Sequence, residues 1–189
     1  ITYTSLSLAV KSVSENTTET TTIELITDCD IANLVEIPEN KNITIDLAGH
    51  EATTYAKGGI TNKGTLIITD SIGEGLGKIV SGIGIGINNE GNLTLTNGTI
   101  ESNVYGIYNY NDGNAIVNGG TIEATTYGMY NTNSNATATI EEGTVTGNSG
   151  IHNYYGTVNV TGGKVEGTTY GINTTNGTVN VNEGQIVGG

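Results

Sequence analysis

The chain has 189 residues, among them 29 Gly, one Pro, one Cys, ten Tyr, no Phe and no Trp, and a formal net charge of -13 from 19 acidic and 6 basic side chains. All six cations are lysines, and beyond Lys78 only Lys164 remains, so no cationic run exists to neutralise phosphates; this argues against nucleic acid and anionic membrane surfaces as partners. Cys29 alone forms no internal disulfide, and no apolar run reaches the length of a membrane-inserted helix.

The first residue is Ile rather than Met, which reads as a processed or excised chain. Residues 1–20 alternate at Leu6, Leu8 and Val10, which predicts one N-terminal strand followed by a polar Thr/Glu linker, a segment that caps the fold or is donated to a neighbour. Residues 21–189 form the second unit. Ile23 and Leu25 read as its first strand and Val35 to Ile37 as another. Pro38 lies in a turn, where a missing N–H costs least, before a strand at Ile43, Ile45 and Leu47.

From there the sequence repeats. An alternating apolar pair recurs at Ile23/Leu25, Ile43/Ile45, Leu66/Ile68, Leu93/Leu95, Ala115/Val117, Ala138/Ile140, Val158/Val160 and Val179/Val181, with spacings of 20, 23, 27, 22, 23, 20 and 21. A second column is Gly-x-apolar, ending at Ile79, Ile100, Ile122, Val145, Val165 and Ile186. A third is Gly-apolar, at Ile60, Ile87, Ile107, Met129, Ile151 and Ile172. β-branched residues and Thr favour strands, while frequent Gly and Asn interrupt helices. Three short apolar segments in every ~21 residues therefore predict an all-β parallel β-solenoid of about 7–8 coils, three strands to a coil. The longest spacing falls between Leu66 and Leu93 and places an inserted loop around residues 70–78.

The run from Ile37 through Ile43, Ile45 and Leu47 to Gly49 and His50, followed by Gly64, Leu66, Ile68, Asp70 and Ser71, resembles the opening of the right-handed parallel β-helix repeats in large surface proteins of Gram-positive bacteria and methanogenic archaea, the adhesin-like or pectin-lyase-like repeats. The later Gly-Thr-Val-Asn-Val units are similar to the body repeats of the same family. The resemblance covers most of residues 22–189. It implies a right-handed solenoid used mainly as extended scaffold on a cell surface.

Parallel β-helices also include polysaccharide lyases, which generally gather Asp clusters with Arg or Lys on one sheet face. There are five Asp (28, 30, 46, 70 and 112) and no Arg. Asp46 and Asp70, on adjacent coils, either converge on a cation or cap backbone N–H groups at turns, and the second reading is preferred. His50 and His152 fall on distant coils and do not meet; His152 stands in a column with Tyr108 and Tyr130 and reads as surface variation. Cys29 reads as a small thiol buried in the first coil rather than a metal ligand. No catalytic, metal or cofactor site is expected.

Two ladders accompany the fold. Asn62, Asn89, Asn109, Asn131 and Asn153 follow the third strand of successive coils, where their amides can hydrogen-bond along the rod or serve left-handed turns. Tyr105, Tyr108, Tyr127, Tyr130 and Tyr170 form a broken stripe, either a surface for stacking sugars or other partners, or packing for the shell. Sequons at Asn16, Asn42, Asn92, Asn97, Asn135, Asn159, Asn173 and Asn176 are candidate glycosylation sites in an extracellular setting.

An open terminal coil exposes unpaired strand edges, and the C-terminal repeat carries no polar covering segment. The expectation is a non-catalytic, extracellular structural subunit that joins copies of itself end to end into a filament or surface layer. The alternative is a glycan-binding adhesin module, with a polysaccharide lyase third.

Overall fold

A computed structural model describes residues 2–15, 18–55, 59–73 and 75–189. After one N-terminal helix, α1 (Leu6–Ser12), the chain winds as a ribbon. The first coil is β1 (Thr21–Glu24), β2 (Cys29–Ile31) and β3 (Val35–Ile37). The second is β4 (Asn42–Asp46), β5 (Glu51–Thr54) and β6 (Ile60–Asn62), the third β7 (Thr65–Thr69), β8 (Lys78–Ser81) and β9 (Ile85–Asn89). The fourth is β10 (Asn92–Leu95), β11 (Thr99–Ser102) and β12 (Tyr105–Asn109). Beyond it the strands run on through their corners as β13 (Asn114–Ala124), β14 (Tyr127–Asn131), β15 (Thr137–Asn153), β16 (Thr157–Thr174) and β17 (Thr178–Val187).

Every strand pairs in parallel with its counterpart one coil away, which makes a parallel β-solenoid of about 7 turns. The first face follows β1, β4, β7, β10 and the leading segments of β13, β15, β16 and β17. The second follows β2, β5, β8, β11 and the middle segments of the later strands. The third follows β3, β6, β9, β12, β14 and the closing segments of β15 and β16.

The apolar columns read from the sequence are the files of the core. Ile43, Leu66, Leu93, Ala115, Ala138, Val158 and Val179 lie in register down the first face, and all but Val179 are buried. Full burial of each Ile, Leu or Val side chain contributes about 1.5–3 kcal/mol, and because each file member touches its copies above and below, the core is continuous along the axis. One register differs from expectation: Ile23 pairs with Ile45, not Ile43, and Leu25 N–H bonds to the Asp46 carbonyl, which aligns it with Leu47. A shift of two residues keeps the same side chains inward, so the hydrophobic pattern cannot distinguish the two registers.

Both glycine columns are set by close approach of neighbouring coils. Gly98, Gly120, Gly143, Gly163 and Gly184 turn between the first and second faces with φ of +87°, +66°, +76°, +64° and +91°. A Cβ on Gly143 would stand 2.5 Å from the Gly120 carbonyl oxygen. On the third face a Cβ on Gly106 would stand 2.3 Å from Ile122 Cγ2 and 2.6 Å from the Gly128 carbonyl oxygen.

The N-terminal segment corrects the sequence reading: it is helical, not a strand. Ser5 caps α1, its hydroxyl accepting a hydrogen bond from Leu8 N–H, and Leu6, Ala9, Val10 and Val13 are buried at i, i+3, i+4 and i+7. Leu8, which the alternation placed with Leu6 and Val10, is exposed. Three of the buried residues join the core cluster, and the helix rests against β3 and β2. Lys41 Nζ donates to the carbonyls of Val10 and Lys11 at 3.0 and 3.1 Å, near the helix C-terminus where a cation is favoured.

Candidate functional site: the outer side of the third face

The strands of the third face carry the motif Tyr-Gly-apolar-Tyr-Asn at β12 and β14, and its alternation decides what lies on each side. Ile107 and Met129 point into the core, as do Asn109 and Asn131, while Tyr105, Tyr108, Tyr127 and Tyr130 stand half-buried on the outside. Because Tyr105 pairs with Tyr127 and Tyr108 with Tyr130, the rings of two coils are brought into one cluster. Tyr105 stacks on Tyr127 (centroids 5.7 Å, planes 17° apart) and on Tyr130 (5.3 Å, 14°), and Tyr127 stacks on Tyr130 (5.4 Å, 26°). Tyr108 meets Tyr105, Tyr110 and Tyr130 at steeper angles.

The file continues through His152, the register partner of Tyr130. Its ring meets Tyr127 and Tyr130 edge to face, at 4.9 and 5.1 Å, and Tyr154 and Tyr155 follow. His152 is therefore part of the aromatic packing, a correction to its reading as surface variation. Both its ring nitrogens are buried without a hydrogen-bond partner among the described residues, and burial lowers its pKa below the ordinary histidine value. Tyr170 stands apart: its register partner is Ser149, one coil before it, and the ring is exposed. Burial raises the phenol pKa of Tyr105 and Tyr130, and burial together with Glu90 pushes Tyr110 up to about 12.

Beneath the rings runs the asparagine ladder. Asn62 Nδ2 donates to Asn89 Oδ1 at 2.7 Å, Asn89 to Asn109 at 2.8 Å, Asn109 to Asn131 at 2.8 Å and Asn131 to Asn153 at 3.0 Å. The same amides donate to carbonyls at the turn into the next coil, as Asn109 does to Gly113 and Thr137 at 3.0 Å each. All five are fully buried. In the first coil the matching residue is Ile37, so the ladder ends there and Asn62 Oδ1 has no partner among the described residues.

The aspartates serve the turns. Asp46 Oδ1 accepts from the N–H groups of Ala48 and Ser71, and the buried Asp70 accepts from Gly49 N–H through Oδ1 and Gly77 N–H through Oδ2. Asp28 Oδ1 accepts from Glu51 N–H at 3.0 Å and lies 3.3 Å from His50 Nδ1; the backbone bond first, then His50, holds its pKa below the usual carboxylate value. Cys29 occupies the core register of Ala52 and Ile79 but is only half-buried; burial, then Asp30 and Asp28, raise its thiol pKa. Among the described residues no group of three or more His, Cys, Asp or Glu is arranged to hold a metal ion.

Of the sequons, Asn92, Asn135 and Asn176 are exposed. Asn42, Asn97, Asn159 and Asn173 are half-buried, and Asn97 Nδ2 is engaged with the Asp70 carbonyl. Asn16 lies outside the described residues. The inserted loop exposes Ile72 and Leu76. Among the described residues, no helix is long and apolar enough to cross a membrane. No protein-family model, curated protein or solved structure matches the chain.

Proposed function

We propose that the chain is a non-catalytic structural protein of an extracellular surface, akin to the adhesin-like β-helix proteins that its opening segment resembles, and that it associates with copies of itself end to end. The observation that carries this reading is the difference between the two ends of the rod. At the C-terminal end β17 is the last strand of the stack among the described residues, and Val181 and Ile186, successors of residues fully buried in the second to seventh coils, stand exposed. Unpaired edges beside an apolar floor are a template for a further coil, which a second copy of residues 1–189 can supply.

The opposite end bears α1. A helix is about 10–12 Å across, more than the ~4.8 Å that one further strand would occupy, so α1 obstructs stacking of one copy's tail on another's head. The contact most compatible with both ends joins two C-terminal coils about a two-fold axis, which closes at a dimer, and growth into a filament requires α1 to leave its seat. Light scattering of residues 1–189 against the variant carrying both Val181→Lys and Ile186→Lys tests this. A concentration-dependent dimer that the variant abolishes is the expected result, and a wild-type protein that stays monomeric at every concentration would overturn it.

A second reading rests on the tyrosine cluster: half-buried phenols offer apolar faces with polar tips, a surface suited to stacking on sugar rings. Titration with neutral glycans, monitored by tyrosine ring NMR signals, tests it, and unmoved signals at saturating glycan reject it.

A further inference from the structure

The stacked rings of Tyr105, Tyr127 and Tyr130 differ from every other aromatic contact in the molecule's described part: their planes lie 14–26° apart, whereas the remaining pairs meet at 49–83°. We propose that this triad is an oxidative cross-linking site, at which a peroxidase-class one-electron oxidant supplied with hydrogen peroxide joins Tyr105 covalently to Tyr127 or Tyr130 as dityrosine. The bond staples β12 to β14, and so one coil to the next. It is independent of how copies associate.

Two phenols couple through their ring edges, at the carbons ortho to oxygen. Near-parallel rings held one rung apart bring those edges alongside, whereas an edge-to-face pair points one edge at the other ring's centre. The strands fix the geometry, because Tyr105 and Tyr127 are direct register partners and Tyr130 follows on the same strand as Tyr127. Elsewhere, Tyr154 and Tyr155 meet at 83° and Tyr170 has Ser149 as its neighbour.

The rest of the sequence leaves few competing sinks for an oxidant. There is no Trp, the single Met129 is fully buried, and Cys29 lies in the first coil. Tyr108 lies 5.4 and 5.5 Å from Tyr105 and Tyr130, so a radical formed there is in direct ring contact with the triad, and Tyr110 stands one ring further out at 5.4 Å from Tyr108. The triad rings are half-buried, so each keeps a face or tip in reach of solvent.

The reaction balances. Each of two tyrosines gives one electron to the oxidised peroxidase and its phenolic proton to water. The two phenoxyl radicals form one carbon–carbon bond at their ortho positions, and the two displaced ring hydrogens return to the oxygens as the phenols re-form. Hydrogen peroxide takes up two electrons and two protons and leaves as two waters.

The test is to treat residues 1–189, dilute enough to be monomeric by light scattering, with peroxidase and hydrogen peroxide, then measure dityrosine fluorescence and map cross-linked peptides by mass spectrometry. The expected product is a monomer lighter by two hydrogen atoms, with Tyr105 linked to Tyr127 or Tyr130 and a raised melting temperature. Tyr105→Phe keeps the ring and its packing and should lose this link, while Tyr170→Phe should retain it. Circular dichroism confirms that both variants fold. Cross-links spread over Tyr3, Tyr55 and Tyr170, links found only between chains, or a yield unchanged in Tyr105→Phe would each overturn the proposal.

Discussion

Replacing Asn109 with Leu tests whether the buried ladder holds the coils together. Asn109 accepts from Asn89 Nδ2 and donates to Asn131 Oδ1, Gly113 O and Thr137 O, all within 3.0 Å. Leucine makes none of these bonds. The Gly113 carbonyl keeps Thr137 N–H at 2.9 Å, and Asn89 Nδ2 keeps the carbonyls of Gly91 and Asn114, so those groups remain partly satisfied. Asn131 Oδ1, fully buried, loses the donor it had. A buried acceptor left without a donor costs about 1–3 kcal/mol, and each lost hydrogen bond a net ~1 kcal/mol; the added apolar burial returns part of this, for a loss of about 3 kcal/mol. A solenoid need not unfold in one step, so denaturant unfolding should be paired with hydrogen exchange, in which protection falls first in β12 and β14. The exposed Asn180, paired with Asn159 at 2.9 Å, is the control: Asn180→Ala should change stability by about 0.5 kcal/mol or less. An Asn109→Leu protein as stable as wild type, with exchange unchanged, would refute the reasoning.

Three further outcomes follow from the same contacts. His152 is held neutral by burial, so its folded pKa lies below the ordinary value near 6.5; stability is full above about pH 6.5 and falls as the pH drops from there toward the folded pKa, where only the unfolded chain gains the proton. His152→Tyr, the residue of this column in β12 and β14, should flatten that acid-side decline in a melting-temperature series. Tyr110, raised to about 12 against about 10 when unfolded, acts in the alkaline direction: stability it contributes is lost as pH rises from about 10 to 12, and Tyr110→Phe should reduce the slope there. Gly143→Ala places a side chain at φ +76° and a Cβ against the Gly120 carbonyl, and should lower stability by about 1–3 kcal/mol in chemical denaturation.

The solenoid was legible because every face repeats its own punctuation. A left-handed glycine marks the corner before Ile100, Ile122, Val145, Val165 and Ile186, and a sterically required glycine precedes Ile107, Met129, Ile151 and Ile172, so the columns could be aligned without coordinates. Where the punctuation is missing the reading failed. β2 and β5 carry Cys29 and Ala52 in the file of Ile79, but neither has a glycine two residues ahead, where the column from Ile79 onward has one, and the two strands do not show in the spacing. The helix was missed because Leu6, Leu8 and Val10 satisfy an alternating pattern over five residues, and only Ala9 and Val13, with Ser5 as cap, reveal the helical period. The asparagine file was visible as a spacing, but its inward orientation depends on the extra residue that Gly106 and Gly128 contribute to their strands. The column of His152 with Tyr108 and Tyr130 was legible as a spacing, but its burial was not, because the edge-to-face packing on Tyr127 and Tyr130 that covers the ring depends on side-chain orientation rather than on register.

In residues 1–189 α1 packs at one end of the rod and β17 presents its free edge at the other, and the rod's length in electron micrographs is the most direct measure of how copies join. The first face stacks eight strands at about 4.8 Å each, so a single rod is about 38 Å long and a pair joined through β17 about twice that. Rods of doubled length that return to single length in the Val181→Lys, Ile186→Lys variant are the expected result. Single rods at every concentration, or fibres that persist in that variant, would contradict it.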